Sequence, residues 1–243
     1  MTMLVIFATL WLVVFGCECE ELHPLDCSEI YETGEQVSGI YSIYPTADRP
    51  VWTQCDMISS GEDEEKGGWT VIQRRMDGSM NFYQPWKHYK RGFGVIESEY
   101  WLGLEYMYQL THNRKYMLRV DLEDFEGRKG SAVYSLFSVD SECEGYRLTV
   151  SGFKDAGAGD SLSGHSGFKF STFDKDQDTH EGNCAKLFLA GFWYSSCHST
   201  NLNGVYLWGE DATHYAIGAS WTSWSNNYAL SMKSMTMKIK RLS

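Results

Sequence analysis

Between Asp174 and His198 the chain gathers residues whose types and spacing suit an ion site. Asp174, Asp176 and Asp178 alternate, His180 and Gly182 follow, and twelve residues separate Cys184 from the pair Cys197-His198. Carboxylates at alternate positions converge on one hard cation when a loop curls, and Gly182 lets the backbone turn so that carbonyl oxygens join them. Oxygen donors alone select calcium over zinc. The loop is not an EF-hand: Thr179 stands where that motif needs glycine, and Ala185 where it needs a bidentate Glu. The competing reading is a solvated acidic turn, and the adjoining cysteine pair argues against it.

A second constellation reads as hydrolase chemistry. Gly159-Asp160-Ser161-Leu162 spells GDSL, and Asp211 and His214 would supply the orienting acid and the base for a Ser161 nucleophile. Such a nucleophile belongs near the start of a strand-helix array, whereas Ser161 sits late, in a glycine-rich stretch, and neither a G-x-S-x-G elbow nor an HExxH helix occurs. The expectation is that the chain is not an enzyme.

Residues 1–16 open with an apolar run, Met1 to Phe15, broken only by Thr2 and Thr9 and ending in Val14-Phe15-Gly16. This is the pattern of a secretory leader, and it is shorter than the ~20 apolar residues that a spanning helix needs. Export makes the seven cysteines interpretable, because thiols in an oxidising compartment end as bridges and an odd count leaves at least one over. Cys184 and Cys197 are close enough to pair locally, Cys27 and Cys55 are the next candidate pair, and Cys17, Cys19 and Cys143 remain.

A formal charge of −11 disfavours duplex nucleic acid or an anionic membrane as partner. The acidic run Gly61 to Lys66 reads as a solvated loop, and no collagen-type triplet, heptad or solenoid period is present. Period-two alternation marks strands: Tyr116, Leu118, Val120 and Leu122 oppose Met117, Arg119 and Asp121, and Met235, Met237 and Ile239 oppose Thr236, Lys238 and Lys240. Trp69–Arg75, Ala132–Val139 and Tyr146–Phe153 are further strand candidates. Short helices are predicted around Ser28–Tyr31 and over Glu99–Leu110 with Ser98 as cap. From about Gly152 to Asn227 the chain is rich in Gly, Ser and Asn and reads as ordered loops on a sheet, where binding sites usually lie. Phe188, Phe192, Trp193, Tyr194, Tyr206, Trp208, Tyr215, Trp221, Trp224 and Tyr228 fall here, either as the core of that lobe or as walls of a shallow pocket.

Ordered motifs then narrow the field. DCSEIYETG (Asp26–Gly34), SGIYSIYP (Ser38–Pro45), GGWTVIQRRMDGS (Gly67–Ser79), YWLGL (Tyr100–Leu104), FSTFDKDQD (Phe170–Asp178), CHSTNLNGVY (Cys197–Tyr206) and MKIK (Met237–Lys240) together resemble a fibrinogen-related domain over roughly residues 26–243. LRVDLEDFEG (Leu118–Gly127) and SGFKDAGAGDSLSGHSG (Ser151–Gly167) are most similar to the microfibril-associated members. The resemblance implies an α+β fold, a fibrinogen C-terminal-like globe that is mainly antiparallel sheet with short helices and a loop-rich calcium- and ligand-binding lobe. It would be preceded by a short segment, residues 17–25, holding interchain cysteines.

Carried over by position, the resemblance implies that calcium is held by the carboxylates of Asp176 and Asp178 and the carbonyls of His180 and Gly182, with Asp174 behind them. It implies bridges Cys27 to Cys55 and Cys184 to Cys197, and a cis peptide between Ser196 and Cys197. The pocket of the acetyl-binding, ficolin-type members falls on Phe188, Cys197, His198, Tyr215 and Ala216, with Trp193 close by. Several such members carry tyrosine where this chain has Phe188. Cys19 and Cys17 stand near a relative's interchain cysteine, so a disulfide-linked homodimer or higher oligomer is expected. The sequence lacks Arg-Gly-Asp and any Asn-x-Ser/Thr sequon, so neither an integrin contact of that kind nor an N-linked glycan is expected. The expected protein is secreted to the extracellular matrix, does not span the membrane, and binds glycans or acetylated ligands together with matrix proteins of the elastin, collagen or fibrillin type.

Overall fold

The computed structural model describes residues 23–46, 48–58 and 66–242. The expected leader and Cys17 and Cys19 lie outside these residues. The elements in chain order are α1 (Cys27–Glu32), β1 (Gly39–Thr46), β2 (Arg49–Asp56), β3 (Trp69–Arg75), α2 (Trp86–Arg91), β4 (Phe93–Gly94), β5 (Tyr100–Trp101), α3 (Leu104–Thr111), β6 (Tyr116–Glu123), β7 (Lys129–Val139), β8 (Leu148–Ala156), α4 (Cys184–Leu187), α5 (Thr222–Ser225) and β9 (Ser234–Arg241). The fold is an open, mainly antiparallel sheet with short helices, the α+β architecture that the resemblance implies.

Strands stack in the order β1-β2-β3-β9-β6-β7-β8, with β4 and β5 appended beside β3. Hairpins β1–β2 and β6–β7–β8 form from neighbouring sequence, while β9 slots between β3 and β6, pairing Met237 with Gln73 on one side and with Val120 on the other. The alternation read in the sequence now has a cause. Leu118, Val120, Leu122, Met235, Met237 and Ile239 face the main core, each worth about 1.5–3 kcal/mol of burial. The opposite face holds a small cluster of Trp69, Met117 and Val133. Beside that cluster Lys238 reaches Asp56 (2.6 Å) and Asp121 (2.9 Å), with its ammonium 5.6 Å from the Trp69 ring.

The helix predicted over Glu99–Leu110 is shorter than expected. Tyr100 and Trp101 form β5 against β3, Gly103 at φ +116° starts the turn, and only Leu104–Thr111 is helical. Glu99 instead organises a neighbouring loop, its buried carboxylate accepting backbone N–H groups from Met76, Asp77, Gly78 and Met80 at 2.7–3.1 Å. It also lies 3.6 Å from the buried guanidinium of Arg75. Asp26 caps α1 by accepting from the Glu29 N–H (2.9 Å), and its other oxygen accepts from the Tyr116 hydroxyl. Disulfides join Cys27 to Cys55, tying α1 to β2, and Cys184 to Cys197 in the loop-rich lobe. Cys143 is exposed and forms no disulfide among the described residues.

Candidate functional site

The acidic loop is shaped by its own side chains. Asp178 accepts from the His180 N–H through Oδ1 (3.0 Å) and from the Cys184 N–H through Oδ2 (2.9 Å), while its own N–H points to Asp176 Oδ1 (3.3 Å). Each carboxylate oxygen keeps a further lone pair for another partner. Burial and the neighbouring charge of Asp176 push the Asp178 carboxyl above its ordinary range, against the two N–H groups that favour its anion. A pair of crowded carboxylates with unspent lone pairs is a donor set that a hard divalent cation fits. Asp174 points elsewhere, accepting from the Trp86 N–H (2.9 Å) and the Thr172 hydroxyl (2.7 Å), so it anchors the loop to α2. His180 Nδ1 lies 2.8 Å from the Gly182 carbonyl and 3.0 Å from the Gly182 nitrogen, and its tautomer decides which of the two it bonds. The Cys184 and Cys197 sulfurs beside His180 are joined in a disulfide, so thiolate metal ligation is not available there.

Two links tie this loop to the next segment. The Thr179 N–H donates to the Ser195 carbonyl (3.2 Å), and the Cys184–Cys197 bridge spans the same gap. Cys184 opens α4, a single turn capped by Asn183, whose Oδ1 accepts from the Lys186 N–H (2.8 Å). Phe188 ends that turn, and its carbonyl accepts from Asn201 Nδ2 (3.2 Å). The peptide between Ser196 and Cys197 is cis.

A shallow depression of about 340 Å³ results, lined by His180, Leu187, Phe188, Ser196, Cys197, His198, Tyr215, Ala216 and Tyr228. The Phe188 and His198 rings meet edge to face with centroids 4.6 Å apart, and Tyr228 packs between His198 (5.9 Å) and Tyr215 (5.8 Å). Ala216 adopts φ +64°, a conformation uncommon for a residue with a Cβ, and its carbonyl receives His198 Nε2–H (3.1 Å). A carbonyl can only accept, so His198 is the Nε2–H tautomer. Its Nδ1 is a buried lone pair with no hydrogen-bond partner among the described residues. Burial, aided by the nearby His165, pushes the imidazole down to about 4, so the ring is neutral at physiological pH.

Most of the sequence-predicted pocket residues meet here, and one does not. Trp193 is fully buried, donates its Nε1–H to the Tyr146 carbonyl (2.8 Å) and packs on Trp101 and Phe170, so it supports the lobe from within. Phe192, Tyr194 and Trp221 are likewise core. Leu187 lines the pocket although no sequence motif singles it out, His180 and Ser196 join it beyond the loop and peptide roles expected of them, and Tyr228 stands out in the sequence only as one aromatic among many. His165 holds the pocket from behind: its Nδ1–H donates to the Trp193 carbonyl (2.7 Å) and its Nε2 accepts from the Ser199 N–H (3.1 Å).

The hydrolase constellation is not assembled. Ser161 is buried, its hydroxyl donating to Ser223 Oγ (3.0 Å) and accepting from the Ser223 N–H (2.9 Å). His214 Nδ1 bonds to Asp211 (2.6 Å) and Thr213 (2.9 Å) on its own turn. No hydrogen bond joins Ser161 to His214 among the described residues, and acyl-transfer chemistry requires that contact.

Comparison with known proteins agrees with the architecture. The family model for the C-terminal globular domain of fibrinogen beta and gamma chains matches residues 23–242. Microfibril-associated glycoprotein 4 from Bos taurus is 51% identical over 224 residues, covering 90% of this chain and 85% of that protein. Fibrinogen C domain-containing protein 1-A from Xenopus laevis is 47% identical over 224 residues, but the match spans only 47% of that protein. Among solved structures, the fibrinogen-like globe domain of human ANGPTL6 superposes with a TM-score of 0.84 at 42% identity, covering 90% of this chain and 96% of that one. A lamprey fibrin D-dimer in complex with the peptide Gly-His-Arg-Pro-amide gives 0.81 at 33% identity, covering 93% and 77%. With the sheet, the two disulfides and these matches together, the chain belongs to the fibrinogen C-terminal globular domain family.

Proposed function

We propose that this chain is a secreted, calcium-dependent, lectin-like recognition protein of the extracellular matrix, whose depression around His198 takes acetylated groups on glycans. The observation that carries this reading is the coupling of the two halves of the site. The acidic loop and the pocket wall share the Cys184–Cys197 bridge, and Asp178 holds the N–H of the same Cys184. Calcium, when bound, would supply positive charge to Asp176 and Asp178, with the carbonyls of His180 and Gly182 as further ligands. The chain's own residues do the recognition. Phe188, Tyr215 and Tyr228 offer apolar faces to a methyl group, and a carbonyl oxygen there would take backbone N–H donors, because the Nε2–H of the neutral His198 ring is spent on Ala216 and its Nδ1 lone pair can only accept.

Single shallow pockets bind weakly. Copies linked through Cys17 and Cys19 would gain avidity by ~10²–10⁴, so assembly belongs to the proposed function. The similarity to microfibril-associated glycoprotein 4 supports a second reading, a microfibril component acting through protein contacts with elastin-, collagen- or fibrillin-type partners.

The test is retention on acetylated beads. The lectin reading expects binding in calcium and release by both EDTA and free acetate. Asp176→Ala should lower calcium affinity and bead binding together while circular dichroism of the sheet stays unchanged. Retention on elastin or collagen with none on acetylated beads would favour the second reading, and bead binding that persists intact in EDTA would end the calcium coupling.

A further inference from the structure

A second concavity lies far from His198 in sequence, between β2 and the end of α2. It has about 270 Å³ and is lined by Val51, Trp52, Arg91, Phe93, Ile96 and Tyr106 among others. Trp52 is 56% exposed, an unusual state for the largest apolar side chain. The helix at its rim is unusual in another way. In a chain of formal charge −11, the six residues of α2 read Trp-Lys-His-Tyr-Lys-Arg, with three fixed cations and no acid. Lys90 is paired with Glu142. Lys87 and Arg91 are exposed and make no ion pair among the described residues. Spaced i and i+4, they share one face of the helix, about 5–6 Å apart at Cβ.

The helix C-terminus favours a cation in its last turn, which accounts for Arg91 but not for Lys87 in the first turn, where the dipole opposes it, nor for the bare indole. Arg91 is also held in place. Gly92 at φ +91° packs so tightly that a Cβ there would lie 2.4 Å from the Leu102 carbonyl oxygen, which fixes the end of α2 against the strand-bearing core.

We propose that this concavity binds a sulfated or carboxylated polysaccharide. The indole face of Trp52 stacks on the C–H face of a sugar ring, with Tyr106 and Phe93 as the apolar floor. The Arg91 guanidinium takes a sulfate or carboxylate with two parallel N–H bonds, and Lys87 meets the next anionic group along the polymer. A neutral sugar leaves both cations without a counter-charge. An acidic peptide supplies charge but no ring face for the indole.

The experiment uses the full chain and three immobilised probes: dextran sulfate, unsulfated dextran and polyglutamate, at an ionic strength of about 0.15 M. Dextran sulfate should bind, with affinity falling as salt rises, and the other two should bind at least about tenfold more weakly. Lys87→Glu with Arg91→Glu should lower dextran sulfate affinity by roughly tenfold or more, and Trp52→Ala by a few-fold. Lys233→Glu, a cation just ahead of β9, and His198→Ala should leave it unchanged. Wild-type affinity in the Lys87/Arg91 double variant would overturn the proposal. Polyglutamate binding as tight as dextran sulfate and insensitive to Trp52→Ala would also overturn it, in favour of an acidic peptide.

Discussion

His198 is the residue on which the proposed recognition turns, and its protonation state is a measurable handle. Its folded pKa is depressed to about 4 from an ordinary value near 6.5, because a proton on Nδ1 would place an uncompensated charge in a buried position. The unfolded chain therefore takes up that proton first as pH falls. This contribution to stability is intact above about 6.5, declines between about 6.5 and 4, and is flat below. Bead retention should weaken over the lower part of that window as protonation puts an uncompensated charge on the buried Nδ1 beside the pocket, and a histidine Cε1–H titration by NMR should give a midpoint near 4. His165, buried and neutral behind the site, shifts in the same direction for the same reason, so His165→Gln is the control that separates the two. At Phe188, restoring a hydroxyl should add a polar contact at the rim. Phe188→Tyr is expected to tighten binding of an N-acetylated sugar by roughly two- to tenfold, measured by calorimetry, consistent with ~0.5–1.5 kcal/mol for one hydrogen bond.

At the scale of elements, the strands are the most legible part of the sequence. Trp69–Arg75 coincides with β3, and the alternation at 116–122 and 235–239 marks the faces of β6 and β9, because one face packs on the core and the side-chain period is two. The segment ahead of Leu104 misleads, since Ser98-Glu99 imitates a capping pair while Glu99 is consumed by four backbone N–H groups of another loop, a tertiary use that no local pattern encodes. Trp193 misleads for a similar reason: adjacency to the pocket cysteines in sequence does not say which way a ring points. Glu99 also carries a prediction. Glu99→Gln removes the counter-charge of a fully buried Arg75, whose other contacts include the carbonyls of Leu202 and Gly204 and the faces of Phe82 and Tyr206. Breaking such a pair costs about 3–5 kcal/mol, which a urea midpoint would register. Burial alone would raise the Glu99 pKa, but the N–H groups of Gly78, Met76 and Met80, with Arg75, hold it below the usual range. Its contribution to stability is therefore present at neutral pH and lost only as acid approaches that lowered value.

For the whole molecule, the family resemblance carries the architecture and the placement of the loop-rich lobe, while the concavity beside α2 is invisible in sequence because Trp52 and Arg91 are brought together only by tertiary packing. The position of β9 has a consequence for biosynthesis. It follows β1–β8 in the chain, yet it sits between β3 and β6, so until it arrives no strand pairing joins the two hairpin groups and both leave an unpaired apolar border. Residues 23–233 expressed alone should remain unfolded or aggregate, and adding a synthetic peptide of residues 234–242 should restore near-ultraviolet circular dichroism, whereas a native signal from the fragment alone would refute this. Because a ribosome delivers this keystone only after both of its neighbours, substitutions within residues 234–241 should depress yield more than equal changes in the hairpins.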